Sequence, residues 1–304
     1  MRNIEAILAV ACVVALLGLS SIGWAATTDE NESNSYILKP EASQDLIAFV
    51  NEARDFVAEQ GKDKAIEVFN DPMGEFVRGG HYIIAYDFNG TCLAHPYEPK
   101  MIGKNVLNIT DSNGVALKRN MREVAKRGSG FSYYIWPNLA HFGAEELKIT
   151  NVLKVDEEMW IAAGTYLNVH TPFFSNESRE NLVAFVEGAK SFALNTSKEE
   201  AVKTFNDING SYVEGNRYTI AYDFAGNCLV HPILPELIGK NRIDARDPNG
   251  VEQVRDMIAL AQNGEGFTYY LYPDPAKNMT PGLKLSYVTK VDDTWWLGAG
   301  IYAE

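Results

Sequence analysis

Displaced by 136 positions, the chain falls on itself. IAYDFNGTCLAHP at 84–96 meets IAYDFAGNCLVHP at 220–232, IGKN at 102–105 meets IGKN at 238–241, and DSNGV at 111–115 meets DPNGV at 247–251. GSGFSYYIWP at 128–137 meets GEGFTYYLYP at 264–273, and KVDEEMWIAAGTY at 154–166 meets KVDDTWWLGAGIY at 290–302. Between 65–166 and 201–302, 47 of 102 paired positions are identical, with no gap. A period of this length is a whole domain rather than a solenoid unit of roughly 20–50 residues. Two domains are therefore expected, at 41–168 and 177–304. The joint at 169–176 carries Pro172 and little periodicity.

The 304 residues suit two domains of roughly 150 each. A composition 46% hydrophobic and 22% charged fits packed globular domains and excludes disordered and collagen-like classes. With 27 Lys+Arg against 40 Asp+Glu the net charge is −13, which disfavours nucleic acid as a partner.

Residues 6–22, AILAVACVVALLGLSSI, form an uncharged apolar run after Arg2, followed by Gly23, Trp24, Ala25 and Ala26. Basic tip, apolar middle and small residues are the order of a secretory signal, with cleavage after Ala25. An uncleaved anchor is the competing reading, the run being slightly short for a span of about 20 residues; membrane contact then depends on retention. Cys12 lies inside the run and not after it, unlike a lipoprotein cysteine. Residues 26–40 read as a polar linker. Glycosylation sequons occur at Asn31, Asn89, Asn108, Asn176, Asn195, Asn209 and Asn278, in keeping with export. Clustering of Asn, Ser and Thr in turns explains them equally. Both readings of the N-terminus place the remainder outside the cytoplasm. Cys92 and Cys228 hold equivalent places in the two halves and are expected to be buried thiols, not a disulfide.

Each half opens with helix. Leu46, Ile47, Phe49, Val50, Ala53, Phe56 and Val57 recur at helical spacing, with Ser43 as N-cap and Gly61 as stop. The second half repeats this from Glu180. A shorter helix follows, then a hairpin turning at Asn89 and Gly90, a helix closed by Gly128, and three strands. The predicted fold class is α+β: a five- or six-stranded antiparallel sheet with the long helix on one face.

These residues resemble a known family. YxxAYDxxGxCLxHPxxPxxIGKN, DxNGVxxxRxM, GxGFxYYxxP and LKLSYVxKVDDTWWLGAGIY are similar to the extracellular Cache domain in its single, type 2 form, present twice. The resemblance covers nearly all of both halves. It implies a PAS-like fold sensing a small molecule, often a carboxylate or amino acid, ahead of a membrane helix and a kinase, cyclase or chemotaxis module. The sequence stops at Glu304 without such a module, so a binding protein that presents its ligand to a separate membrane receptor or kinase is the expectation. The first half departs at 149–151 and reads HFGAEE where the second has KNMTPG; it is the weaker candidate for binding.

In the second half Thr268, Tyr270 and Tyr272 alternate onto one strand face, and Lys284 and Ser286 share a face of the next strand. Tyr218 and Tyr222 flank Ile220, and Arg255 stands on the connecting helix. Aromatic rings with one or two cations suit a carboxylate, through an Arg fork, a Lys point charge and directional Tyr hydroxyls. The first-half set is Tyr82, Tyr86, Arg119, Ser132, Tyr134, Trp136 and Lys148. Packed core tyrosines and solvated cations are the bland alternative. His95 and His231 end a strand before proline; a structural hydrogen bond and a ligand contact are both open to them. His81, His141 and His170 lack counterparts and are expected to face solvent.

Asp111, Ser112, Asn113 and Gly114 read as a turn, lacking the spaced ligands and distant Glu of a calcium loop. No Cys/His set has zinc spacing, and no cofactor or metal is expected. The nucleophile elbow, phosphate loop and H-E-x-x-H are missing, so the expectation is not an enzyme. The alternative to a sensor is a glycosylated structural or adhesive cell-surface protein with vestigial sensor folds.

Overall fold

The computed structural model describes residues 35–303 apart from 168, 170 and 171. The apolar run, its cleavage site, most of the polar linker, Asn31 and His170 lie outside the described residues.

The first half comprises α1 (Pro40–Gln60), α2 (Lys62–Phe69), β1 (Val77–Arg78), β2 (His81–Tyr82), β3 (Ile84–Asp87), β4 (Cys92–Ala94), α3 (Leu117–Lys126), β5 (Ser129–Asn138), β6 (Ala144–Lys154) and β7 (Met159–Tyr166). The second repeats it as α4 (Asn176–Asn195), α5 (Lys198–Phe205), β8 (Val213–Glu214), β9 (Arg217–Tyr218), β10 (Ile220–Asp223), β11 (Cys228–Val230), α6 (Gln253–Gln262), β12 (Glu265–Asp274), β13 (Thr280–Lys290) and β14 (Trp295–Tyr302). The sheets are antiparallel and five-stranded, in the orders β4-β3-β7-β6-β5 and β11-β10-β14-β13-β12. The fold is the α+β arrangement expected.

α1 begins earlier than its predicted cap. Pro40 takes the first turn, where its missing N–H costs nothing, and Ser43 N–H donates to the Lys39 carbonyl inside the helix. Gly61, at φ 83°, ends it. α4 likewise starts before Glu180, at Asn176, capped by the Ser175 side chain accepting from Ser178 N–H. The predicted hairpin strand from 81 is split. His81 and Tyr82 pair with β1, and β3 starts afresh at Ile84 with a bulge at Ala85/Tyr86. His81 is half-buried, its ring 6.1 Å from Phe49, and not solvent-facing.

α1 and α4 cover one face of each sheet, through Leu46, Phe49, Val50, Ala53 and Val57 in the first half. The other face packs under α3 or α6. There Tyr82, Tyr86, Tyr134 and Trp160 meet Leu117, Met121 and Val124 in one cluster. This second face carries the candidate site. Cys92 and Cys228 are free and buried.

The two D-x-N-G turns do more than turn. Asp247 Oδ1 accepts from the Asn249 and Val251 N–H groups, and its Oδ2 accepts from Leu271 N–H (3.0 Å) and from Tyr133 Oη of the other half (3.0 Å). Asn249 Nδ2 donates to Tyr133 Oη at 2.7 Å. In mirror fashion Asp111 Oδ2 accepts from Ile135 N–H at 3.1 Å, and Tyr269 of the second half faces Asp111 and Asn113. Asn249 also grips Tyr36 and Leu38 ahead of α1, as Asn113 grips Pro172 and Phe174 ahead of α4. Arg127 joins Asp256 and Glu252 across the same junction.

Candidate ligand-binding site

β12 and β13 set the second-half site. Their register pairs Thr268 with Ser286, Tyr270 with Lys284 and Tyr272 with Gly282, so these side chains rise from one face. Tyr218 comes from β9 and Tyr222 from β10. Together with His231 they surround a cavity of about 10 Å³, walled by Ile220, Val254 and Met257. That is room for about one water.

Lys284 is buried, with no carboxylate of the described residues in hydrogen-bond reach. Its Nζ lies 4.0 Å from the Tyr218 ring centroid, 4.7 Å from Tyr302 and 5.7 Å from Tyr272. Burial lowers its pKa to about 7, opposed by the buried carboxylate of Asp274. Gly300 permits this placement: a Cβ there would stand 2.6 Å from Lys284 Cε and 2.2 Å from Ser286 Oγ. Tyr270 Oη and Ser286 Oγ are hydrogen-bonded at 2.9 Å.

His231 Nδ1 accepts from Leu234 N–H at 3.0 Å, and Nε2 lies 3.0 Å from Tyr272 Oη. An accepting Nδ1 requires the neutral ring protonated on Nε2. Burial foremost, then Lys284 and Arg242, lowers its pKa to about 3. His231 thus combines a structural bond with a place in the cavity wall.

Arg242 was not visible in the sequence reading. It follows IGKN on the loop after β11, lines the cavity, and its guanidinium has no hydrogen bond or ion pair with any described residue. The predicted cation, Arg255, lies elsewhere: it pairs with Asp244 at 2.5 Å and faces Glu252 at 3.8 Å, outside the cavity. Ser286 sits one layer behind, on Tyr270. A comparison of the halves would have exposed Arg242, because position 106 is Val.

In the first half Lys148 Nζ donates to Tyr82 Oη at 3.0 Å and lies 4.7 Å from the Tyr166 ring. Thr150 Oγ1 donates to Tyr134 Oη at 3.1 Å. His95 accepts on Nδ1 from Glu98 N–H at 3.0 Å, and its ring lies near Tyr82 and Trp136. Tyr86 stacks on Trp160 at 4.8 Å and also faces Lys118. Ser132 is buried opposite Thr150. Arg119, like Arg255, is directed away, donating to Asn108 Oδ1 at 2.8 Å. The cation that does enter is Lys118, which sequence reasoning passed over. Among the described residues no group of three or more His, Cys, Asp or Glu is arranged to hold a metal.

Each half is thus a five-stranded sheet with a long helix on one face and a polar, aromatic inner face on the other. Residues 41–304 match the Cache domain family, and the chain belongs to it. Cache domains are sensor domains for small ligands. The chain is 34% identical over 88 residues to the sensor histidine kinase MctS of Rhizobium johnstonii, covering 29% of this chain and 19% of that protein. It is 25% identical over 121 residues to the methyl-accepting chemotaxis protein McpP of Pseudomonas putida, covering 39% and 22%. A solved methyl-accepting chemotaxis protein from Vibrio parahaemolyticus is 28% identical with TM-score 0.37, covering 42% of this chain and 89% of that one. The chain thus spans about a fifth of the length of the curated relatives it matches. No described helix is long and apolar enough to cross a membrane.

Proposed function

We propose that the second half binds a small monocarboxylate, or the carboxylate of an amino acid, between Arg242 and Lys284 and under Tyr218, Tyr270 and Tyr272. The observation that carries this is Arg242: a guanidinium lining a cavity with no hydrogen-bond or ion-pair partner among the described residues, beside a buried ammonium set among ring faces. A carboxylate supplies the missing charge and accepts a forked pair of hydrogen bonds. Each half, 41–168 and 177–304, serves as one sensor module, acting outside the cytoplasm without catalysis. The apolar run at 6–22 and the sequons support export. Asn89, Asn108, Asn176, Asn195, Asn209 and Asn278 are all exposed, as attached glycans require. A kinase and a chemotaxis protein among the relatives support a membrane receptor as the partner that receives the signal.

The test is thermal denaturation with a panel of acetate, propionate, pyruvate and amino acids. A ligand at a hundredfold its Kd stabilises by about 2.7 kcal/mol. The expected shift disappears in Arg242→Met. A panel without any shift in the wild type removes the proposal.

One observation favours the vestigial, structural reading. The cavity of about 10 Å³ admits a water but no acetate unless the rings move apart. The same titration separates the two readings, since a vestigial fold gives no shift.

A further inference from the structure

The two halves place their second cation differently. In the second half it comes from the loop, as Arg242, and the helix position is Val254; in the first the loop position is Val106 and the helix supplies Lys118. Lys118 is only 2% exposed, and its ammonium has no hydrogen bond or ion pair with any described residue. It is held by ring faces alone, 4.8 Å from Tyr86, 5.3 Å from Trp136 and 5.7 Å from Tyr134. Lys148 lies close enough that each cation acts on His95 and Lys118 acts on Lys148.

The charges also differ. Lys284 is partly balanced by buried Asp274, which caps the following turn through Ala276 N–H at 2.9 Å. Its first-half counterpart is neutral Asn138, capping Ala140 N–H at 3.0 Å. Among the described residues no carboxylate is found to act on Lys118 or Lys148. Glu146, on the same strand as Lys148, is engaged by Asn138 and His141. With every group ionised, Arg242 and Lys284 against Asp274 leave one positive charge, and Lys118 and Lys148 against Asn138 leave two. Buried charge without a counter-charge is costly, and a ligand supplying it recovers that cost.

We propose that the first half is a separate anion site, selective for a dianion, taking a small dicarboxylate between Lys118 and Lys148. The long unbranched stem of Lys118 can swing its ammonium out of the ring cage as the ligand enters. Tyr82 and Tyr166, whose rings hold Lys148, also line a surface groove of about 430 Å³. This inference extends the carboxylate reading of the second half but depends on different residues.

The test is calorimetric titration of the full chain with malonate and succinate as dianion probes, acetate and propionate as monoanion probes, and sulfate as an inorganic dianion. Lys118→Met is expected to weaken malonate or succinate about tenfold or more and to leave acetate and propionate within about twofold. That retained binding also shows that the variant folds. Arg242→Met is expected to do the reverse. Asn138→Asp restores the missing carboxylate beside Lys148 and is expected to weaken the dicarboxylate without relying on Lys118. Dicarboxylate binding unchanged in both Lys118→Met and Asn138→Asp overturns the proposal. So does its loss in Arg242→Met, or a first half that takes sulfate and neither dicarboxylate. Monocarboxylate binding that survives Arg242→Met instead sinks the second-half reading and leaves this one standing.

Discussion

An ammonium withdrawn from water without a carboxylate is stable only where something else offsets its desolvation. Lys118 meets that condition with ring faces, Lys148 with ring faces and the Tyr82 hydroxyl, and Lys284 with ring faces and the charge of Asp274; burial brings each pKa down to about 7. The unfolded chain keeps lysine near 10.4, so between those values it binds more protons than the folded one. Stability therefore rises as pH climbs from about 7 toward 10. Lys118→Met is expected to stabilise the unliganded protein at pH 7 by on the order of a few kcal/mol and to flatten that rise. Of the groups facing Lys118, His95 is held neutral and burial raises Tyr86 and Tyr134. The raised Cys92 thiol opposes the rise once the unfolded thiol ionises at about 8.5, and Lys148 adds to it. Both are present in the variant as well, so the difference in slope reports Lys118. A denaturation series from pH 7 to about 9.5 with the same slope in both proteins would contradict this. At His231 the prediction has the opposite sign. His231→Ala strands Leu234 N–H and the Tyr272 hydroxyl, and a loss of about 1–3 kcal/mol is expected by urea titration.

At the scale of the element, strand glycines decide where the lysine stems run. Gly164 on β7 and Gly300 on β14 sit beside Thr150 with Lys148 and beside Ser286 with Lys284, where a Cβ would come within 2.2 Å of each hydroxyl oxygen. Gly300→Ala is expected to push Lys284 and Ser286 out of line and to abolish second-half carboxylate binding, with first-half binding retained. Titration of both probe classes checks it. The alternation of Tyr270, Tyr272 and Lys284 was legible in the sequence because a strand period of two leaves little freedom. Arg119 and Arg255 misled for the complementary reason. Helix position alone does not say whether a long side chain turns toward the sheet or toward a neighbouring Asn108 or Asp244.

Across the whole molecule, the crossed turns bind the halves together. Tyr133 shares Asp247 with Leu271 N–H, the amide between Tyr270 and Tyr272, so one carboxylate touches both halves next to a site. The halves are expected to unfold in a single transition, and Tyr133→Phe combined with Arg127→Met to divide it into two by scanning calorimetry. One unchanged peak in the double variant would show that other contacts hold the junction. The duplication, the sheet and most of the aromatic set could be read from the 136-residue offset and local periodicity. The junction could not. Tyr133 and Asp247 are 114 residues apart and Arg127 and Asp256 129, and a turn motif reads the same whether its Asp bonds only its own loop or also a distant tyrosine.

Joining the two halves in one polypeptide has an outcome that a symmetric pair of identical chains cannot reach. In such a pair any substitution is written into both pockets at once. Here Lys118 faces no twin at Val254, nor Arg242 at Val106. Each recess was free to change its charge alone, so one folded body carries two inner faces of different charge.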